Sequence, residues 1–323
     1  MLYLVMSLIF WTELSSPLSL PNFLFTLKKE FSVMILQIDN LSKQYSNGVH
    51  ALNQVSLTIP KGMFGLLGPN GAGKSSLMRT LATLQDADSG SATLDGIDVL
   101  NDKEAVRKVL GYLPQEFGVY PRTSALELLD YLAMLKGFTN AGERKDMVSQ
   151  LLQKVNLFEH RKKAVSSYSG GMRQRFGIAQ CLIGKPKLVI VDEPTAGLDP
   201  GERNRFYNIL SEIGENIIVI LSTHIVQDVR ELCTQMAIMD KGRVLYSGDT
   251  GDALNQIKGR VWEKKVEKSE LPGYQSDYKI ISNKLVGGKP LIHVFSDSAL
   301  HNGFEPAEET LEDVFFAKLN ELV

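Results

Sequence analysis

The 323-residue sequence has few cysteines and almost no net charge. Its two cysteines, Cys181 and Cys233, do not form the Cys-x-x-Cys pair on which many zinc and redox sites are built. We therefore expect both to be buried, reduced thiols. The formal net charge at pH 7 is -2, and no long basic run occurs. The sequence therefore offers no phosphate-neutralising surface, and we expect no nucleic-acid partner.

Apolar runs long enough to cross a membrane are also missing. The apolar stretch at residues 1–11 is followed at once by Thr12 and Glu13, whereas a spanning helix needs about 20 consecutive apolar residues. It also lacks the positive start and the cleavage site of a secretory signal. An interfacial anchor, a disordered leader and a wrongly chosen start codon remain as interpretations. Because Met34 opens a strand-like stretch, we favour a disordered leader or a start-site artefact for residues 1–33.

The rest of the chain has the composition of a folded globular protein, with 44% hydrophobic and 22% charged residues. Residues 35–38 and 55–59 alternate apolar and polar side chains, which predicts half-buried antiparallel strands. Short apolar runs at residues 64–67, 188–191 and 217–221 are typical of buried strands in a parallel sheet. We expect the first two of these runs to be neighbours in that sheet.

Helical periodicity replaces the strand pattern in the middle of the chain. One predicted helix face consists of four leucines, namely Leu126, Leu129, Leu132 and Leu135, and another of Leu151, Leu152 and Val155. This pattern predicts an α-helical insertion at about residues 116–186 within an α/β domain at residues 34–250. Residues 251–323 combine charged, turn-rich and strand-like segments with a capping box, Thr310–Asp313, ahead of a helical pattern. They predict a small α+β appendage.

A complete phosphate-binding loop follows the apolar run at residues 64–67, and its residues are Gly68, Pro69, Asn70, Gly71, Ala72, Gly73, Lys74 and Ser75. Glycines let backbone N–H groups approach phosphate oxygens, and the helix predicted from Ser76 to Leu84 begins where an anion is favoured. Lys74 is expected at the β- and γ-phosphates of a bound nucleotide, Ser75 on Mg²⁺, and Ser76 beside them. The alternative, a chance glycine-rich turn, is disfavoured by this strand–loop–helix context.

Two carboxylates follow the apolar run at residues 188–191. We expect Asp192 to hold Mg²⁺, directly or through water, and Glu193 to polarise the attacking water as the general base. A solvated acidic turn is the alternative when such a pair stands alone, and the complete phosphate loop argues against it. Together the two motifs predict a nucleoside-triphosphatase.

The segment Tyr168-Ser-Gly-Gly-Met172 opens a helical pattern shortly before these carboxylates, and here the chain resembles the ABC ATPase family, whose signature reads LSGGQ. The resemblance implies that Ser169, Gly170 and Gly171 contact the γ-phosphate held by the other protomer. Ser169 also suits a helix N-cap, which is the simpler interpretation of the segment alone. Tyr168 and Met172 depart from the leucine and glutamine of the family pattern.

Four further residues match family positions in order. Tyr45 would stack on adenine, although a core tyrosine is the competing interpretation. Gln115 would touch Mg²⁺ or the attacking water and couple the site to a membrane partner. Asp199, in an Asp-Pro turn, would contact the opposite protomer, and His224 would contact the γ-phosphate. A lone glutamine, aspartate or histidine would carry little weight, so these roles rest on the resemblance.

The resemblance covers about residues 35–248 and implies an α/β fold: a P-loop NTPase (RecA-like) core with an antiparallel β subdomain and the helical insertion. It implies an ATP-binding and ATP-hydrolysing subunit of an ABC transporter, with ATP and Mg²⁺ as cofactors. The partners would be a separate transmembrane permease and a second nucleotide-binding subunit, identical or related. Through the permease, the chain would lie on the cytoplasmic face of the inner (plasma) membrane. Residues 121–124 and 310–315 resemble the multidrug, polysaccharide and antibiotic export branch.

Two alternatives stay open at this point. One is a soluble ABC ATPase that acts on ribosomes or DNA as a mechanical switch, although such proteins usually carry two ATPase domains or long coiled coils. The other is a nucleotide-gated regulator that barely hydrolyses ATP, which the presence of Glu193 and His224 disfavours.

Overall fold

The computed structural model describes residues 34–118 and 121–323. In this part of the chain the strands are β1 (Ile35–Gln44), β2 (His50–Pro60), β3 (Gly62–Leu67), β4 (Ser89–Leu94), β5 (Ile97–Asp98), β6 (Leu110–Leu113), β7 (Leu188–Asp192), β8 (Ile218–Thr223), β9 (Gln235–Asp240), β10 (Arg243–Asp249), β11 (Val261–Lys265), β12 (Lys279–Val286), β13 (Lys289–Phe295) and β14 (Glu305–Pro306). The helices are α1 (Lys74–Leu81), α2 (Lys103–Val109), α3 (Ala125–Leu135), α4 (Ala141–Lys154), α5 (Gly170–Cys181), α6 (Pro200–Gly214), α7 (Val226–Leu232), α8 (Thr250–Asn255), α9 (Leu271–Asp277) and α10 (Leu311–Leu319).

The first sheet is antiparallel and has the strand order β2-β1-β4-β5. Ile38 of β1 lies opposite Leu57 on one side and Ala92 on the other, and all three side chains are buried. The alternating pattern thus puts one face of these strands into the core. The antiparallel strands predicted at residues 35–38 and 55–59 are confirmed as β1 and β2, and both strands are longer than the predicted segments.

The central sheet has the strand order β10-β9-β3-β8-β7-β6, in which all neighbours except β10 and β9 run parallel. The expectation that residues 64–67 and 188–191 are sheet neighbours is wrong, because β8 lies between β3 and β7. Val219 of β8 pairs with Met63 on one side and with Val189 on the other. Every residue of β8 is buried, so this strand needs a neighbour on both edges and takes the central position.

Two apolar layers cover the faces of the central sheet. Along β7, Leu188 and Ile190 belong to the layer that also contains α1, α2 and the antiparallel sheet, whereas Val189 and Val191 belong to the layer with α5, α6 and α7. This is the alternation that a strand buried on both faces produces. Cys181 and Cys233 are free and buried, as predicted, and burial raises the pKa of each thiol to about 12.

Helices α3, α4 and α5, with short 3-10 turns at residues 158–160 and 165–167, occupy the region predicted as a helical insertion. Helix α3 buries only part of its predicted leucine face, because Leu129 is buried and Leu126 and Leu132 are partly buried against the same apolar layer, but Leu135 is not. Its buried residues are Ala125, Leu128, Leu129 and Ala133, while Leu135 is 64% exposed, because two alanines pack where leucines were expected. The face of α4 formed by Leu151 and Leu152 is buried, as predicted. Helix α1 ends at Leu81 rather than Leu84, since Thr83 adopts a positive φ of 60°.

The last strands form a third sheet in the order β12-β13-β11-β14, together with α9 and α10. The predicted capping box is confirmed at the start of α10, where Thr310 Oγ1 accepts from the N–H of Asp313 and the Asp313 carboxylate accepts from the N–H of Thr310. This helix buries Leu311 and Val314 in the layer that also contains α7. The domain limits at residues 250 and 251 stay predictions, and the expected leader lies outside the described residues.

None of the helices in residues 34–118 and 121–323 is both long and apolar enough to cross a membrane.

Candidate active site

The phosphate loop connects β3 to α1 at the carboxyl end of the central sheet. Gly73, the residue before α1, has a φ of 102°, and a Cβ atom there would lie 2.3 Å from the carbonyl oxygen of Ala51 in β2. Only glycine suits both the left-handed backbone and the close approach. The loop is therefore shaped by its contact with the antiparallel sheet.

Lys74 is the cation at the centre of this loop, and only 5% of it is exposed. Its Nζ atom donates to the carbonyl oxygens of Gly68 at 2.5 Å and Pro69 at 3.2 Å, and lies 4.0 Å from Oε1 of Glu193. Burial lowers the pKa of Lys74, while the negative charges of Glu193 and Asp192 oppose this effect. A buried ammonium satisfied by loop carbonyls can exchange those partners for phosphate oxygens.

A cavity of about 450 Å³ opens over the loop. Residues from four parts of the chain line it: the loop residues from Pro69 to Ser76, then Tyr45, Val49 and Ala51, Gln115, and Glu193. The Tyr45 hydroxyl bonds with Ser76 Oγ at 3.0 Å and donates to Gln85 Oε1 at 3.1 Å. These bonds fix the hydroxyl end of Tyr45, and 36% of the residue stays exposed beside the cavity. Tyr45 is thus not the fully buried core residue of the competing interpretation.

Asp192 ends β7 beside the loop and is 6% exposed. Burial raises the pKa of its carboxyl, as does the neighbouring charge of Glu193, while the nearby hydroxyls of Ser222 and Ser75 and the charge of Lys74 oppose the rise. Its Oδ1 atom is buried without a hydrogen-bond partner. A buried carboxylate oxygen without a partner is costly unless a ligand satisfies it, and a divalent cation prefers such an oxygen. The residues present therefore fit Mg²⁺.

Glu193 adopts a left-handed backbone conformation with a φ of 46°, which is uncommon for a residue with a long side chain. Its N–H donates to the carbonyl oxygen of Ser222 in β8 at 2.8 Å, which holds the strained residue against the central strand. Its Oε1 atom lies 3.1 Å from Nδ1 of His224, and its Oε2 atom accepts from Nε2 of Gln115 at 3.2 Å. The structure therefore brings Gln115, Glu193 and His224 together.

Ser169, Gly170 and Gly171 lie at the start of α5. Ser169 is its N-cap, as predicted, and its Oγ atom accepts from the N–H of Met172 at 3.2 Å. A Cβ atom on Gly171 would lie 2.3 Å from Oε2 of Glu202 in α6, so α5 and α6 approach each other closely here. These three residues do not belong to the described lining of the phosphate-loop cavity.

Tyr168, which departs from the family pattern, is 4% exposed. Its hydroxyl donates to the carbonyl oxygen of His160 at 2.9 Å, and its ring meets Phe176 edge to face. The substitution is thus accommodated in the helical core, away from the exposed Ser169. Asp199 is the N-cap of α6, where its carboxylate accepts from the N–H of Glu202 at 2.9 Å, so the predicted Asp-Pro turn starts a helix.

The predicted site residues therefore form two groups. The cavity group contains the lining residues Tyr45, the phosphate loop, Gln115 and Glu193, together with His224, which contacts Glu193, and Asp192, which is coupled to Glu193 and Lys74. The other group lies at the starts of α5 and α6 and contains Ser169, Gly170, Gly171 and Asp199. Sequence reasoning missed Asp228, a buried carboxylate on α7 that is bonded to Thr195, Tyr207 and Thr223. No spacing in the sequence marks it, because the four residues lie on four different elements.

Comparison with known proteins identifies the family of the chain. The sequence profile of the family described as ABC transporter matches residues 52–196. An uncharacterized ABC transporter ATP-binding protein of Bacillus subtilis, YxlF, is 32% identical over 298 residues, which cover 87% of this chain and 98% of that protein. The chain belongs to the ABC transporter ATP-binding family. A second relative, the linearmycin resistance ATP-binding protein LnrL of Bacillus subtilis, is 34% identical over 70% of this chain and 72% of its own length.

The fold of this ABC ATPase is also found among solved structures. A dimeric, post-hydrolysis structure of the ATP-binding cassette MJ0796, bound to ADP and Pi, matches it with a TM-score of 0.60 and 24% identity, over 66% of this chain and 98% of that one. The predictions of the family, of a P-loop NTPase fold and of an ATPase are thus confirmed. ABC ATPases bind ATP and work as dimers, and the ATP-binding subunits of transporters pair with membrane permeases.

Proposed function

We propose that this ABC ATPase powers export through a separate membrane permease, with two copies, or this chain and a related one, pairing head to tail around two ATP molecules. The division of the site into two groups carries the proposal. The cavity group can bind and hydrolyse ATP, but the starts of α5 and α6 do not line its cavity. A second subunit that places Ser169, Gly170 and Gly171 over the cavity would complete it. The dimeric MJ0796 cassette supports this arrangement.

Each residue of the cavity group then has a role in binding or hydrolysing ATP. The N–H groups of the phosphate loop and of the start of α1 bind the phosphates, and Lys74 exchanges its loop carbonyls for β- and γ-phosphate oxygens. Tyr45 stacks on the adenine at the edge of the cavity. Mg²⁺, held by Ser75, Asp192 and Gln115, would neutralise developing phosphate charge.

Glu193 is the proposed general base. Its carboxylate is already bonded to Gln115 and lies against His224, so an attacking water beside it would meet an acceptor in a fixed position. His224 would contact the γ-phosphate from the same edge of the sheet. In the closed dimer Ser169 and the N–H groups of Gly170 and Gly171 would contact that γ-phosphate from the other subunit, and Asp199 would contact the opposite subunit.

The export half of the proposal rests on other observations. Helix α3 exposes Tyr131 (47%), Met134 (47%) and Leu135 (64%), an apolar patch that suits contact with a permease. This helix begins at Ala125, ten residues after Gln115 in the sequence, which would let a change at Gln115 be transmitted to the patch. A relative whose name records linearmycin resistance supports an antibiotic-like substrate. Binding to the permease would place the chain on the cytoplasmic face of the inner membrane.

Replacing Glu193 by glutamine tests the enzymatic core of the proposal. We expect Glu193→Gln to bind ATP, to lose at least about 99% of turnover and to accumulate as an ATP-bound dimer on size-exclusion chromatography. Glu263→Gln, which changes the same group on the surface of β11, is the matched control and should hydrolyse ATP normally. Wild-type turnover in Glu193→Gln would refute the base assignment. Recovery of a six-span permease from solubilised membranes would support export; its absence would contradict it.

A further inference from the structure

Asp228 is a fully buried carboxylate on α7, with no exposed surface. It accepts three hydrogen bonds, each from a hydroxyl group: from Thr195 Oγ1 at 2.7 Å, from Thr223 Oγ1 at 2.9 Å and from Tyr207 at 2.5 Å. These donors lie after β7, at the end of β8 and in α6. One side chain thus joins α7 to three other parts of the chain.

The two threonines share one oxygen of this carboxylate, Oδ2. Thr195 stands two residues after Glu193, and Thr223 stands immediately before His224. The shared oxygen therefore joins the loop that carries Glu193 to the loop that carries His224. These two loops supply the pair formed by Oε1 of Glu193 and Nδ1 of His224, which lie 3.1 Å apart.

Two backbone bonds make this connection rigid. The N–H of Ile225 donates to Thr223 Oγ1 at 2.9 Å, which closes a turn around His224. The N–H of Glu193 donates to the carbonyl oxygen of Ser222 at 2.8 Å, next to Thr223. A shift of Thr223 would consequently move both sides of the Glu193–His224 pair.

The other oxygen, Oδ1, accepts from the hydroxyl of Tyr207 in α6. The N-cap of that helix is Asp199, which belongs to the group of residues proposed to face the second subunit. Tyr207 is itself only 6% exposed, and both burial and its bond to Asp228 raise the pKa of its hydroxyl, which stays a donor. Asp228 therefore also ties the dimer-facing loop to the two loops of the cavity group.

We infer that Asp228 is a positioning residue, which holds Glu193 and His224 at their working distance and links that distance to the position of α6. The inference rests on the roles proposed above for Glu193 and His224. A leucine would fill the same position on α7 without desolvating a carboxylate, so packing alone does not account for an aspartate here. Three hydroxyl donors from three elements converge on it, which is the arrangement that fixes their relative positions.

The test replaces the carboxylate and its donors one at a time in the full chain. Asp228→Asn keeps the side-chain volume but places an NH₂ group where a hydroxyl now donates. We expect kcat for ATP hydrolysis to fall by about a hundredfold, the usual effect of a misplaced catalytic group, while the Kd for ADP changes by less than about threefold. A kcat within about twofold of wild type in the folded variant would overturn the inference.

Matched hydroxyl variants keep the test decisive if Asp228→Asn does not fold. Thr195→Val and Thr223→Val remove one donor each and should lower kcat by at least about tenfold, whereas Thr195→Ser and Thr223→Ser keep the donor and should retain most of the wild-type kcat. Equal kcat values for the valine and serine variants would overturn the inference, because the hydroxyl would then have no role. Asp313→Asn, at the buried aspartate of α10, should lower the melting temperature and leave kcat unchanged.

A double-mutant cycle separates this inference from the proposed function. In the Glu193→Gln background, Asp228→Asn should reduce the residual turnover by clearly less than a hundredfold, because one of the two groups that it positions is already disabled. An undiminished hundredfold effect in that background would overturn the positioning role while leaving the base assignment intact. Normal turnover of Glu193→Gln alone would refute the proposed function, and the inference with it.

Discussion

His224 Nδ1 lies 3.1 Å from Glu193 Oε1, at the ends of two strands that are neighbours in the central sheet. The contact exists because β8 pairs with β7 and both strands end at the same edge. Gln115 bonds the other oxygen of the same carboxylate. The carboxylate proposed as the base is therefore held from two sides, and a change in either neighbour should alter the reaction more than the binding of nucleotide.

Removing the imidazole should slow hydrolysis without weakening nucleotide binding. For His224→Ala we expect kcat to fall by about a hundredfold, since His224 contacts Glu193 and is proposed to contact the γ-phosphate, while the Kd for ADP stays within about threefold. Steady-state kinetics and nucleotide titration measure the two quantities. His301→Ala, at an exposed histidine after β13, is the matched control and should behave as wild type. An equal loss of ADP affinity and kcat in His224→Ala would contradict this prediction.

The two signature glycines should differ in their tolerance of a methyl group. A Cβ atom on Gly171 would meet Glu202, whose carboxylate also pairs with Arg175 at 3.2 Å, whereas a Cβ atom on Gly170 would have nothing within 4 Å. We expect Gly171→Ala to lower the free energy of unfolding by about 1–3 kcal/mol, the usual cost of overpacking. Chemical denaturation should show a clearly smaller loss for Gly170→Ala. Equal losses would show that α5 and α6 can move apart freely.

The stability contributed by the buried pair of His293 and Asp313 should depend on pH. Nδ1 of His293 lies 2.8 Å from Oδ1 of Asp313, and this hydrogen bond is the main cause that raises the pKa of His293 above 6.5. Burial alone would raise the pKa of Asp313, but bonds from His293 and Thr310 outweigh it and hold that pKa below 3.8. Both side chains are therefore charged at pH values between the pKa of Asp313 and the pKa of His293.

The pKa of His293 is higher in the folded protein than in the unfolded chain. The stability that the charged pair contributes is therefore complete below about pH 6.5 and is lost as the pH rises through the raised pKa. We expect His293→Gln to cost about 2 kcal/mol near pH 6 and much less near pH 9. Denaturation curves of both proteins at several pH values measure this difference. His301→Gln should show no such trend, and a difference that grows with pH would contradict the assignment.

The exposed patch of α3 should matter for the permease and not for basal hydrolysis. Leu135→Asp places a charge on a residue that is 64% exposed, so folding and basal ATPase activity should be unchanged. We expect co-purification with the permease to fall at least about tenfold, because a charge would be desolvated in the contact. Leu285→Asp, at a leucine of β12 that is 67% exposed, is the matched control. Equal co-purification of both variants would exclude the patch as the docking surface.

The sequence predicted the parts of the fold whose signals are local. The phosphate loop, the helix caps at Ser169 and Thr310 and the alternation in β1 depend on neighbouring residues, and each was found where expected. The order of β3, β8 and β7 was predicted wrongly, since three equally apolar strands carry no mark of their neighbours.

The site shows the same limit. Glu193, Gln115 and His224 could be named from their motifs, but the bonds between them depend on strand order and became visible only in the structure. Asp228 was missed because its three donors come from residues 195, 207 and 223, which no single window of sequence contains. Leu135 was predicted to face the core from the spacing of the leucines alone. That spacing gave no weight to Ala125 and Ala133, which are the residues that the helix buries instead.

The central position of β8 also governs how this protein can be made. Strand β3 ends at Leu67, yet both of its neighbours, β8 and β9, are synthesised more than 150 residues later. At about 5–20 residues per second, a ribosome needs about 8–31 s to pass from Leu67 to Thr223. During that interval the phosphate-loop residues have been synthesised, but the residues of β3 have neither of their sheet partners. The nucleotide site therefore cannot be complete until β8, with His224 after it, has been made.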